Sequence, residues 1–321
     1  TYNTYVSVSP SNWNELTYQD NNDTEVMNWI GSSFFIYDYK YDENGEIIPG
    51  DFEIKYSAAT KLEDVSAQYV GDTWGVPADG KGYAWKITLR EDLKWQNGDP
   101  IKAEDFVYTM QEQLNPLFQN YRADSFYTGA TTIVNAQNYV KQGQTLMTDN
   151  SASGKYTVAD LKKGADGVYT QPDGKPIYFA LTTALAWCSG NTVTDYAGYL
   201  DAEAFAALQA KADANGNVAV TDETIALVTK LIDTDNWGHE PPANVPYYMV
   251  YEYTYAAVDF ADVGIFVGDT EYEIVLVLAK PLNLLKEDGT LSYQAAYYMA
   301  SLPLVKKDLY ESCKKAPADG A

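Results

Sequence analysis

One histidine and two cysteines in 321 residues leave this chain almost no imidazole or thiol chemistry. Cys188 and Cys313 form neither a CxxC pair nor a metal-ligand spacing, and His239 stands alone in NWGHEPPANVP, where it reads as a solvated loop residue. Zinc sites and Cys-His or Ser-His-Asp hydrolysis are disfavoured, and neither a metal nor a cofactor is expected. Basic residues are also scarce: 22 Lys and Arg against 45 Asp and Glu give a formal charge of −23. That surface repels nucleic acid and anionic membranes at long range, so neither is expected as a partner. No stretch approaches the roughly 20 apolar residues of a membrane-spanning helix, and TYNTYVSVSP has no basic region leading into an apolar run. Contact with a membrane would need an anchor outside these residues. There is no internal repeat and no extended low-complexity tract.

What is abundant is aromatic surface. Tyrosine alone occurs 28 times, and 46% of residues are hydrophobic, enough for a sizeable core in a chain longer than one ordinary domain. A tyrosine offers a ring face and a hydroxyl, suited to the edge of a core or the wall of a site.

The hydrophobic pattern alternates between the two periods of regular structure. In residues 1–9, Tyr2, Thr4, Val6 and Val8 alternate as a strand would. Residues 24–37 read as a helix with Thr24 as N-cap, running into the apolar FFIY. DENGEIIPG is a turn, with Asn44-Gly45 supplying positive φ. In YAWKITL, Trp85, Ile87 and Leu89 share one face and Lys86 and Thr88 the other, the mark of a half-buried strand. After the Asn97-Gly98-Asp99-Pro100 turn, Ala103, Phe106, Val107, Met110 and Leu114 fall at helical spacing, with Glu104 and Asp105 in the first turn near the positive helix end. Helices are expected at 201–216, capped by Asp201, and at 221–234, where Thr224 replaces the Glu or Gln of a capping box, so reciprocal capping looks incomplete. Residues 251–263 and 270–282 read as strands, the second apolar on both faces and so central to its sheet. Residues from 291 onward read as helical up to Pro303 and as a basic amphipathic segment beyond it. The alternation predicts a mixed, layered α/β structure.

The order of elements in WKITLREDLKWQNGDPIKAEDFVYTMQ, residues 85–111, resembles the signature of the extracellular solute-binding proteins of peptide-type ABC transporters, the oligopeptide and dipeptide-binding family 5. The elements are Trp85, Leu89-Arg90, Lys94-Trp95, Gly98-Asp99-Pro100, Ala103-Glu104-Asp105 and Phe106-Val107-Tyr108. Weaker resemblances lie in Glu25 to Pro49, in EYEIVLVLAKP and in YYMASLPLVKKDLY. Two features depart from the family. Lys102 stands where a hydroxyl N-cap is usual, so another group must satisfy that helix start. Residues 117–270 are longer than the corresponding segment and match nothing in it.

The resemblance implies a periplasmic-binding-protein-like α/β fold of the type II, peptide-binder class, in which a large lobe carries an inserted mixed α/β subdomain. It places 1–38 and 273–321 in the first-lobe sheet and 39–272 in the insertion, and it implies that the second lobe lies outside this chain. It further implies a monomeric, non-enzymatic receptor, extracellular or periplasmic and held by a lipid anchor outside the chain, which passes peptides to a membrane permease. An extended peptide would pair with protein backbone in the cleft, its side chains in hydrated pockets. By position, the family's contact strand matches Gln19, Asp20 and Asn21, and its cleft tyrosine matches Tyr108, while Trp85 and Trp95 read as core. Two alternatives remain open at the level of sequence: an oligosaccharide or other small solute in the same fold, and a secreted hydrolase using paired carboxylates.

Overall fold

The computed structural model describes residues 8–186, 201–232 and 242–314. These form two compact units, Thr1–Gln142 with Ala256–Ala321, and Gly143–Tyr255. In the first unit the chain runs through α1 (Asn21–Ile30), β1 (Phe35–Tyr41), β2 (Ile47–Tyr56), β3 (Ala59–Asp64), β4 (Ala84–Leu89), α2 (Ala103–Gln113) and α3 (Ala136–Lys141). The second contains β5 (Thr145–Asp149), α4 (Asn150–Ser153), β6 (Lys162–Lys163), β7 (Tyr169–Thr170), β8 (Ile177–Ala180), α5 (Ala202–Gln209), β9 (Asn217–Ala219), α6 (Asp222–Ile232) and β10 (Met249–Thr254). The chain then returns to the first unit with β11 (Ile265–Val267), β12 (Glu273–Val277), α7 (Tyr293–Tyr298) and α8 (Lys307–Cys313).

The first unit is organised on an antiparallel sheet of order β11-β12-β4-β3. Trp85, Ile87 and Leu89 point from β4 into the core as their alternation predicts, and Phe106, Met110 and Leu114 of the α2 segment close over them with Phe34 and Phe35. Each such side chain contributes roughly 1.5–3 kcal/mol when fully buried. In β12, Ile274, Val275, Leu276 and Val277 are all buried, so both faces are covered, as expected of a strand between two others. The hairpin β1-β2 forms its own two-stranded sheet, with Tyr39 packed on Phe52 at 5.1 Å across the pair.

The second unit has a sheet of order β5-β10-β8-β9 and a core in which Phe205 and Leu208 of α5, with Val228 and Leu231 of α6, meet Ile177, Phe179, Val218 and Met249. Asp201 caps α5 by accepting from the Ala204 N–H at 2.8 Å.

Several elements differ from the sequence expectation. The first helix starts at Asn21, and Thr24 sits inside it, its hydroxyl donating back to the Asp20 carbonyl at 3.1 Å. The helix stops at Ile30, because the apolar FFIY segment is drawn into β1 and the core. At α6, Thr221 and Thr224 do cap reciprocally: the Thr224 N–H donates to the Thr221 hydroxyl at 3.1 Å, and the Thr221 N–H to the Thr224 hydroxyl at 2.8 Å. Threonine thus takes the role usually given to Glu or Gln. The 251–263 segment breaks after Thr254, and the segment before Pro303 is helical only over Tyr293–Tyr298. β3 and β4 pair in one sheet with β12, so residues 59–89 share a core with 273–277, and the second compact unit is Gly143–Tyr255. The strand expected at 1–9 falls mostly outside the described residues, as do Cys188 and His239, while Cys313 is exposed.

Candidate ligand-binding site

The turn ahead of α2 is built from its own side chains. Gly98 has φ +92°, a value suited to glycine; the Gly98 N–H donates to the Trp95 carbonyl and the Trp95 N–H to the Asp99 carbonyl, each at 2.9 Å. The helix start that lacks a hydroxyl cap is satisfied in two ways. The Asp105 carboxylate accepts the Lys102 N–H at 2.9 Å, and the Glu271 carbonyl accepts the Ala103 N–H at 2.8 Å. The Lys102 ammonium closes the arrangement on the Glu271 carboxylate at 2.6 Å. Burial raises the Asp105 carboxyl above its ordinary range, against the lowering effect of the Lys102 N–H and the Trp95 indole that donate to it.

One turn further along α2, Tyr108 is half-buried and committed to α8. Its hydroxyl donates to Glu311 Oε1 at 2.5 Å, its ring meets Tyr310 edge-on at 6.5 Å, and Lys307 Nζ lies 5.2 Å from the ring centroid. Burial, with the hydrogen bond to Glu311, pushes the Tyr108 hydroxyl well above the usual tyrosine range. On the next turn Glu112 is only 7% exposed, and its Oε2 lies 2.8 Å from Lys314 Nζ, which also reaches Glu311 at 2.9 Å.

Gln19 and Asp20 are exposed residues of the coil entering α1, and Asn21 is the first residue of that helix, so the segment aligned with a contact strand is a helix start here. The coil before it is pinned from both sides. The Tyr18 carbonyl accepts from Arg122 Nη1 at 3.1 Å and from the Tyr121 hydroxyl at 3.2 Å, and the Arg122 guanidinium stacks 4.2 Å over the Tyr18 ring. Asn14 hydrogen-bonds the hydroxyl of Tyr310, whose ring rests on Tyr108. The N-terminal segment and Tyr108 are therefore linked through Asn14 and Tyr310. Asp23 of α1 is buried and accepts the Ser11 and Asn12 N–H groups at 2.7 and 3.2 Å; burial alone would raise this carboxyl, and those donors hold it below its ordinary range.

Beside this cluster an open cleft of about 440 Å³ runs between the turn and α8, lined among others by Trp95, Asp99, Lys102, Lys306 and Glu311. Trp95 is only half-buried, its ring forming part of this wall, whereas Trp85 is in the core as expected. Lys306 spans the cleft edge, 3.0 Å from Asp99 and 2.6 Å from Asp308. Sequence reasoning singled out Tyr108 but not Glu112, Glu311, Lys314 or Tyr310. The four-residue spacing from Tyr108 to Glu112 placed those two on one helix face; the partners from α8 follow only from a contact some 200 residues away in sequence. Among the described residues no group of three or more His, Cys, Asp or Glu is arranged to hold a metal, and no helix is long and apolar enough to cross a membrane.

Ring faces, paired ammonium groups and acceptor carboxylates around a cleft are the equipment of a binding surface, carried here on a two-unit mixed α/β chain. Residues 70–159, which include the whole 85–111 run, match the model of the bacterial extracellular solute-binding proteins, family 5 Middle. In sequence it is 43% identical over 47 residues to the dipeptide-binding protein DppE of Bacillus subtilis, covering 15% of this chain and 8% of that protein. It is 29% identical over 100 residues to the periplasmic oligopeptide-binding protein OppA of Escherichia coli, covering 29% of this chain and 16% of that one. The matched stretches are thus a small part of those relatives' lengths. Among solved structures, the unliganded open form of the murein tripeptide-binding protein MppA aligns with 96% of this chain and 31% of its own, at a TM-score of 0.37 and 15% identity. Listeria monocytogenes OppA bound to peptide aligns with 86% of this chain and 26% of its own, at 0.31 and 14%. The likeness to the family lies in the sequence segment 70–159.

Proposed function

We propose that this chain is the first-lobe portion of an extracellular receptor that captures peptides and delivers them to the permease of an ABC importer. The observation that carries the reading is the family 5 match over residues 70–159, which takes in the 85–111 run of strand, turn, helix start and Tyr108. Tyr108 is the contact residue of choice; Gln19, Asp20 and Asn21, exposed at the start of α1, are the second set. An acidic surface fits ligands that carry an ammonium group. The receptor binds and releases without chemical turnover, works as a monomer, and is held at the cell surface by a lipid anchor or moves free in a periplasm.

Thermal unfolding tests this directly, since a ligand that binds only the folded state raises the melting temperature by mass action. Short peptides should raise it, and Tyr108→Ala should reduce that rise. A rise with oligosaccharides and none with peptides would keep the fold and replace the ligand. Turnover of a glycoside would overturn the receptor reading.

A further inference from the structure

We infer that Glu112, Glu311 and the rings of Tyr108, Tyr310 and Phe118 form a binding site for a primary ammonium group, and that the chain's own Lys314 occupies it in this structure. The natural ligand group, an amino terminus or lysine side chain of a peptide, rests on the receptor reading above; the site itself does not.

Glu112 is the buried anion of this site. Its side chain is nine-tenths buried on α2, and among the described residues Oε2 has no hydrogen-bond partner, its counter-ion being the Lys314 ammonium 2.8 Å away. A carboxylate so placed needs a cation, because burial removes the water that would otherwise solvate it. Around that cation stand three ring centroids, Tyr310 at 5.5 Å, Phe118 at 5.6 Å and Tyr108 at 5.9 Å from Nζ. Glu311 adds a second carboxylate at 2.9 Å. One buried acid, one exposed acid and three π faces converging on one nitrogen is the equipment by which a protein selects an ammonium over a hydrated metal ion. Burial by itself would depress the lysine, yet the two carboxylates hold the ammonium above its ordinary range, so the cage favours the charged form.

The two sides of the cage are attached differently. Glu112 and Tyr108 belong to α2, anchored by core residues Phe106 and Met110, whereas Tyr310 and Glu311 lie on α8, which leads into the occupant. Lys314 follows the last turn of α8, a helix with no buried residue, and its backbone N–H meets only the Tyr310 and Glu311 carbonyls. Withdrawing Lys314 would leave a charged and unfilled cage, its buried acid fixed on α2. A free ammonium of the same size can restore every contact that Lys314 makes there.

The test uses n-butylammonium, which copies the end of a lysine side chain, with tetrapropylammonium as a cation too bulky for the cage. In Lys314→Met, n-butylammonium should bind roughly tenfold or more tightly than in the unmodified chain, and adding Glu112→Gln should remove the gain. A folded Lys314→Met that gains nothing, or gains equally for both cations, overturns the inference. If Lys314→Met is less stable, its melting temperature decides: recovery with n-butylammonium chloride beyond that with equal sodium chloride supports the site, and equal recovery overturns it. Trialanine and N-acetyl-trialanine separate the two readings. Failure of the unmodified chain and Lys314→Met to bind trialanine, with n-butylammonium still bound by the variant, sinks the peptide receptor and leaves the cage. Equal binding of both peptides, with no gain for n-butylammonium, does the reverse.

Discussion

Tyr108 on α2 and Glu311 on α8 are 203 residues apart in sequence and share a 2.5 Å hydrogen bond, the tyrosine donating. The pair ties the helix within the 85–111 run to the helix that follows Pro303. It also means that the candidate contact residue already has an internal partner, which a ligand would have to replace or join.

Removing the Tyr108 side chain should therefore have two separable effects. Tyr108→Ala loses half-buried ring contacts with Tyr310 and Lys307 and should cost about 1–2 kcal/mol, whereas Tyr108→Phe keeps the ring and should cost less. Chemical denaturation of both variants measures this. An equal loss for the two would mean that the hydroxyl, not the ring, holds α8 in place.

Alkaline pH should weaken the first unit through the same residue. Tyr108, Tyr139 and Tyr310 all titrate above the ordinary tyrosine value in the folded state, each chiefly because burial disfavours the phenolate. A raised folded pKa means that their contribution is complete below the unfolded value of about 10 and is lost as pH rises through the folded values. Lys314 acts in the same direction from its own ordinary value. Denaturation midpoints should be flat in this respect up to about pH 9 and fall above it, with Tyr108→Phe showing a shallower fall. A curve for Tyr108→Phe that superimposes on the unmodified chain would contradict this.

The legibility of the fold in the sequence followed the strength of local pattern. Trp85, Ile87 and Leu89 alternated, and Phe106, Met110 and Leu114 kept helical spacing, so β4 and α2 were readable within a residue or so. The doubly apolar β12 was likewise legible as a central strand. Thr24 misled because a hydroxyl beside an apolar run suits an N-cap, while the helix begins at Asn21 after Asp20 and its first turn is tied back to Ser11 and Asn12 through the Asp23 carboxylate. Trp95 misled for a different reason: its period matched a core strand, but the tight turn at Gly98 lifts it to the cleft wall. At the candidate site, Tyr108 was singled out through family resemblance, and its partners on α8 were not legible, since local periodicity carries no information about a helix 200 residues away.

The unusual start of α2 gives a cleaner test of capping. Asp105 holds the Lys102 N–H, so Asp105→Ala should cost about 1 kcal/mol, in the range of a lost cap. Asp105→Asn keeps an acceptor oxygen and should retain most of that stability. Lys102→Thr, which supplies the hydroxyl that this start lacks, should partly compensate Asp105→Ala, and a double-mutant cycle would show the coupling. Strict additivity would mean that the Glu271 carbonyl alone secures the helix.

Gly82 is the position where the first unit should tolerate a side chain least. Its φ is +76°, and a Cβ placed there would lie 2.3 Å from the Leu282 carbonyl oxygen, which is backbone and cannot swing aside. The same residue accepts the Trp85 indole N–H at 2.9 Å and the Leu282 N–H at 3.0 Å, so any shift that relieves the clash strains the entry to β4. Gly82→Ala combines left-handed strain with overpacking and should cost about 2–4 kcal/mol. Gly45, in the β1-β2 turn, has nearly the same φ of +80°, with open space for 4 Å around the place a Cβ would take, so Gly45→Ala isolates the strain and should cost only about 1 kcal/mol. Urea midpoints of the two variants compare the terms directly. If both lost the same stability, the Leu282 contact would carry no weight, and the packing assigned to that corner of the sheet would be wrong.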